Sequence, residues 1–208
     1  MTSFAISGLQ TTTQTLVNGE TGYVAPDGNL MVTTGDGIVG SGSIDVTVAG
    51  VINVPTHQAI DHDGTTIMLT VADGGLVQSG FSRAVDISVS NLANVVNYGT
   101  INALLEGIQV LRSDAAASIS VKNFGNITSY STAIEVDSGA HSSTLVNDGT
   151  ISGYDNGIYA DNAGQTGSVT LLNSGTLTSP LFAYTGGGGN DLLTNTGTYH
   201  RPYLIGGK

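Results

Sequence analysis

The stretch Val95-Val96-Asn97-Tyr98-Gly99-Thr100-Ile101 decides the fold, because the chain repeats its pattern four more times. It returns as Val121-Lys122-Asn123-Phe124-Gly125-Asn126-Ile127 and as Leu145-Val146-Asn147-Asp148-Gly149-Thr150-Ile151. It closes as Leu171-Leu172-Asn173-Ser174-Gly175-Thr176-Leu177 and Leu193-Thr194-Asn195-Thr196-Gly197-Thr198-Tyr199. The Asn residues step by 26, 24, 26 and 22 positions. Within each copy the leading apolar residue, the Asn and the closing Ile, Leu or Tyr share parity, so they point the same way from an extended chain. The local period is two, that of a strand, and no long stretch carries helical spacing.

A second cassette, a small residue followed by an apolar one, keeps the same phase. It reads Gly37-Ile38, Ala59-Ile60, Ala84-Val85, Gly107-Ile108, Ala133-Ile134, Gly157-Ile158 and Leu181-Phe182. The earlier copies of the first cassette lack the Asn but keep a glycine and an apolar residue: Gly28/Leu30, Gly50/Ile52 and Gly74/Leu76. Short strands repeating at this period predict an all-β chain, a right-handed parallel β-helix of about seven to eight coils of 22–26 residues. Residues 1–25 are expected as an N-terminal cap, 26–193 as the helix, and 194–208 as a partial last coil.

Stacking turns matching letters into columns. Ile101, Ile127, Ile151 and Leu177 should form one inward column, and Ile108, Ile134, Ile158 and Phe182 another. Asn97, Asn123, Asn147, Asn173 and Asn195 should form a structural amide ladder, with the glycine two residues later allowing a positive φ at the corner.

Composition excludes several roles. The 208 residues carry a net charge of −11, which repels phosphate backbones, so nucleic acid is not an expected partner. Cysteine is absent, which removes disulfides, thiolate zinc sites and thiol nucleophiles together. No apolar run reaches the ~18 residues of a membrane span. Met1 to Gln10 has neither a basic segment nor a long apolar core, so no N-terminal Sec signal is read there.

Candidate chemistry lies outward of the second cassette. Asp61, Asp86, Gln109, Glu135 and Tyr159 should form one column, a candidate ligand face. Neighbouring carboxylates at the inter-coil distance raise one another's pKa, and paired carboxylates serve glycosidases. Only Asp61 and Asp86 are adjacent acids, however, and a solvated face is the plainer reading. His57, Asp61, His62 and Asp63 are metal-ligating types, but their spacing matches no standard zinc pattern. The basic residues Arg83, Arg112, Lys122, Arg201 and Lys208 share no column, which disfavours a polysaccharide lyase with a basic catalytic residue. Thr100, Thr150, Thr176 and Thr198 form only a partial row of the kind an ice-binding face needs.

The Asn-x-Gly-Thr-Ile coils, followed by Gly186-Gly187-Gly188-Gly189-Asn190-Asp191-Leu192-Leu193-Thr194, resemble bacterial secreted β-solenoid proteins of the RTX type, with hemolysin-type calcium-binding repeats. The nonapeptide match is complete once, and Leu204-Ile205-Gly206-Gly207-Lys208 looks like the opening of a second copy. The coils themselves are also similar in style to autotransporter passengers, filamentous haemagglutinins and phage tailspikes. The resemblance implies calcium at Gly186, Gly187, Gly189 and Asp191, and type I secretion. The function expected from this reading is a non-enzymatic extracellular stalk, adhesive or surface-structural segment that meets a glycan, a surface or copies of itself. A carbohydrate-binding or polysaccharide-degrading domain and a self-assembling filament subunit are the alternatives. Equivalent carboxylates beside Tyr154, Tyr159 and Tyr184 would favour the first of these.

Overall fold

A computed structural model describes residues 3–112, 117–137, 142–160 and 167–200, with the side chain of Arg112 left aside. The described residues contain strands and turns and no helix. Every strand pairing is parallel, which makes the chain a β-solenoid. One arm of each winding is a short strand, and nine of these form one sheet running from Leu9–Gln10 to Thr198–His200. The other arm is longer and belongs to a 14-stranded sheet. In the windings of Ile38–Val48, Ile60–Val71 and Val85–Asn97 this arm is a single strand. Its register slips between Gly42 and Ser43 and between Val89 and Leu92, so the arm bends there. In later windings the long arm comprises two strands, as with Ile108–Arg112 and Ser118–Asn123.

The sequence period becomes vertical register. Ile101 lies against Ile127, Ile127 against Ile151, and Ile151 against Leu177. All four are buried, and each contributes about 1.5–3 kcal/mol on the scale of a fully buried aliphatic. Ile108, Ile134 and Ile158 stack likewise, but the next member is Tyr184, while Phe182 pairs with Asn156. The cassette of that winding is therefore Ala183-Tyr184, displaced two residues from Leu181-Phe182. Ala183 takes the small buried place that Ala133 and Gly157 hold earlier. A similar one-residue slip affects an early winding. Val77, not Leu76, stands over Ile52 and under Ile101, so the column glycine is Gly75. Gly74 belongs to a longer turn and carries φ +79°.

The column glycines have a different reason from the one expected. Gly99, Gly125, Gly149, Gly175 and Gly197 are not among the positive-φ residues. They are required by close approach instead. A Cβ on Gly125 would overlap the carbonyl oxygen of Gly99, and one on Gly149 would overlap that of Gly125. The amide of the next winding bonds across the same gap, as Asn126 N–H does to Gly99 O at 2.9 Å.

The first residues continue the stack. Phe4–Ile6 pairs with Glu20–Val24, and Gln14–Leu16 pairs with the start of Ile38–Val48. The segment expected as a cap thus contributes strands in register with the windings above it. At the other end Thr198–His200 pairs with Thr176–Thr178. Residues 201–208, including Arg201 and the Leu204–Lys208 echo of the nonapeptide, lie outside the described residues. No described helix is long and apolar enough to cross a membrane.

Candidate functional site

At the second cassette the chain turns a corner by burying two consecutive residues. Ala59 with Ile60, Ala84 with Val85, and Gly107 with Ile108 all face inward. The first must be small: a Cβ on Gly107 would lie 2.6 Å from Ala133 O. The residues flanking this pair both look outward. Asp36, Gln58, Arg83 and Glu106 precede it, and Asp61, Asp86, Gln109 and Glu135 follow it.

The expected outward column exists. Asp61 registers with Asp86, Asp86 with Gln109, Gln109 with Glu135, and Glu135 with Tyr159. Its members are half-buried rather than freely solvated, and Gln109 is only 7% exposed. The flanking row supplies the cross-links. Arg83 Nη1 meets Asp86 Oδ2 at 3.1 Å, and Arg83 Nε meets Glu106 Oε2 on the next winding at 2.9 Å. Gln58 N–H donates to Asp36 Oδ1 at 3.0 Å, and its side-chain amide donates to Asp86 Oδ2 at 3.5 Å. Among the described residues no such cation meets Asp61. Burial, then the charges of Asp36, Asp86 and Asp63, push its carboxyl up to about 6. Arg83, Glu106, Gln58 and Asp36 were not singled out as a row from the sequence. Their signal was there: each stands immediately before a small-apolar pair.

The histidine cluster is split. His62 points inward over Gly40 and under Ile87 and is 1% exposed, while Asp63 is exposed outward. His57 is exposed, with Nδ1 2.9 Å from Thr56 Oγ1. Both ring nitrogens of His62 lack a hydrogen-bond partner, and burial lowers its pKa against the opposing pull of Asp63 and the Gly40 backbone. Among the described residues no three His, Cys, Asp or Glu side chains converge to hold a metal ion.

The ladder residues do meet. Asn97 Nδ2 donates to Asn123 Oδ1 and Asn123 Nδ2 to Asn147 Oδ1, each at 2.8 Å. Asn147 donates to Asn173, and Asn173 to Asn195, each at 2.6 Å. Each of these four amides also donates to a backbone carbonyl of the next winding, as Asn123 does to Thr150 O at 3.1 Å. Below Asn97 the column is Val71, which cannot donate, so Asn97 Oδ1 is buried without a partner.

The nonapeptide folds around its own carboxylate. Asp191 Oδ1 accepts the Val169 N–H at 2.9 Å, and Oδ2 accepts the Tyr184 hydroxyl at 2.8 Å. Gly186 passes so close that a Cβ there would overlap Asp191 Oδ2. Gly189 turns with φ +91°, and Gly187 is exposed. Tyr184 is therefore a carboxylate partner rather than a ring on the ligand face. Tyr154 stacks on Tyr130 with centroids 5.1 Å apart, and Tyr98 stacks on Phe124 at 5.0 Å. The threonine row is real as register but Asn126 interrupts it between Thr100 and Thr150. No family model matches the chain, and neither a curated protein nor a solved structure matches it at a significant level.

Proposed function

We propose that the chain is a non-enzymatic extracellular rod, a stalk or adhesive segment of a secreted RTX-like protein. The observation that carries this reading is the continuity of its columns. The amide ladder from Asn97 to Asn195 and the aliphatic column from Leu30 to Leu177 run without a break through successive windings. Each winding is held by its neighbours, so bending the rod strains many short contacts together. Outward residues repeat at the strand spacing of about 4.8 Å, which suits a surface that meets another extended surface. Its acidic charge keeps such a rod apart from anionic polymers.

The test is mechanical and enzymatic together. Beads coated with the chain are driven by flow over glycan-coated and bare surfaces. Retention at flow rates that clear albumin-coated beads supports the adhesive rod. Retention no better than albumin, or release of reducing ends from a polysaccharide panel, overturns it.

A further inference from the structure

The geometry points to a sugar site in the corner cleft beneath Tyr98: one uncharged pyranose unit of a glycan lies against the Tyr98 ring and shares its hydroxyls with Asp73, Thr100 and Asn126. This deepens the reading of the molecule as an adhesive rod and rests on it.

The cleft lies where the long arm turns into the short arm and holds about 340 Å³. Asp73, Gly74, Leu76, Tyr98, Thr100 and Asn126 line it. Small polar ligands favour such places, where an apolar wall meets a few convergent polar groups. Three departures from the repeat meet here. The turn from Val71 to Leu76 carries Ala72-Asp73-Gly74-Gly75, whereas the windings on either side turn with two residues, Ala49-Gly50 and Tyr98-Gly99. Two residues suffice for stacking, so the extra pair is a ledge that the fold does not demand. It projects into open space, since a Cβ on Gly74 would meet nothing within 4 Å. Tyr98 and Phe124 stand in the column where later windings carry Asp148, Ser174 and Thr196. Asn126 interrupts the threonine row between Thr100 and Thr150.

The ring offers one face. Phe124, on the winding above, stacks on Tyr98 with centroids 5.0 Å apart and planes inclined by 10°. The other face looks toward the winding below, whose turn holds only Ala72, the exposed Asp73 and two glycines. The electron-rich face of a tyrosine attracts the slightly positive C–H groups of a sugar ring. Leu76, Thr100 and Asn126 register along the short arm at about 4.8 Å intervals and form the side wall. Sugar hydroxyls donate and accept. The Asp73 carboxylate accepts, while the Thr100 hydroxyl and the Asn126 amide do both. Of the residues that line the cleft only Asp73 is charged, so a uronate or sulfated sugar finds no cation there. An ammonium group would meet the donors of Thr100 and Asn126 with nothing to accept them, and its attraction to an exposed ring is weak.

The experiment uses the whole chain and isothermal titration with cellohexaose, mannohexaose, xylohexaose, chitohexaose, trigalacturonate and choline. At least one neutral hexaose is expected to bind, and trigalacturonate and choline are not. Tyr98→Ser installs the residue that the same column carries at Ser174, so the winding should still fold. It should weaken the neutral sugar by about tenfold or more, the loss of the stacking face. Asn126→Thr, which completes the threonine row, should weaken it as well. Tyr130→Ser removes an exposed ring from the other stacked pair and should leave binding unchanged. Thermal melts of each variant separate lost binding from lost folding. Silence with all four neutral hexaoses, equal binding by Tyr98→Ser, equal loss in Tyr130→Ser, or preference for the uronate or choline overturns the proposal. If coated beads are still retained under flow while every sugar is silent, the rod reading stands and this site falls.

Discussion

The Tyr184 hydroxyl donates to Asp191 Oδ2 at 2.8 Å, and this bond closes the glycine-rich loop on the last windings. Burial and the Asp191 carboxylate both raise the Tyr184 pKa, so the phenol stays protonated and keeps donating through the physiological range. Since both Asp191 oxygens are used within the chain, Asp191→Asn should loosen the final winding by about 1–3 kcal/mol without any ion present. The melting temperature should not differ between calcium and magnesium. A calcium-specific rise that vanishes in Asp191→Asn would instead support ion binding by the loop.

Position along the amide ladder should set the cost of losing a rung. Asn123→Val removes a donor to Asn147 and an acceptor for Asn97 inside an otherwise satisfied stack. About 2–4 kcal/mol should be lost, since buried partners are orphaned on both sides. Asn97→Val instead extends the Val71 column by one winding and removes the unpaired Asn97 Oδ1. It should cost about 1 kcal/mol less than Asn123→Val, readable in urea denaturation midpoints.

Two glycines one column apart should answer alanine differently. Gly74→Ala meets nothing within 4 Å and is strained only by φ +79°, a penalty of about 1–2 kcal/mol. Gly125→Ala forces a methyl into the Gly99 carbonyl, where neighbouring backbone on both windings must part. It should cost more, about 3 kcal/mol or above, as overpacking does in rigid cores. Comparable melting temperatures for the two would contradict the close-approach account.

Acid should act on the rod through two groups of opposite sign. His62 has a lowered pKa in the fold, so its contribution is intact above the usual 6.5 and is lost as pH falls below it. Each pH unit in that window costs up to about 1.4 kcal/mol until the folded pKa is reached. Asp61 is raised from 3.8 to about 6, so the fold gains as it protonates and loses that gain as pH climbs through this range. His62→Leu should abolish the acid loss below 6.5. Asp61→Asn should raise stability at neutral pH by about 1 kcal/mol, a figure reduced for its half-exposed setting. Melts across pH 4 to pH 8, on the order of one scan per unit, resolve the two.

Repetition made the windings legible before any coordinates. Asn97, Asn123 and Asn147 announce both their spacing and their shared direction, and one amide above another leaves little choice of bond. What repetition could not reveal lies where copies differ. Ala183-Tyr184 was hidden because its neighbour Leu181-Phe182 carries the more apolar letters, yet only a small residue fits the buried corner. His62 was grouped by type with Asp61 and Asp63, although it shares parity with the inward Ile60 and is buried with it. The role of Gly125 was misjudged because a sequence shows a missing side chain but not the carbonyl that needs the space. Arg83 was seen as a lone charge, since its partners Asp86 and Glu106 become neighbours only through the corner and the next winding.

Between Asn123 and Asn173 every rung meets an identical rung above and below, so the interior of the stack contains no address. A tandem duplication spanning one full winding would slide into place, each new amide greeting an old one, and the molecule would simply become taller. Height is then a quantity that replication slippage can adjust in single steps, while Val71 beneath Asn97 marks a storey where such an insertion would be noticed.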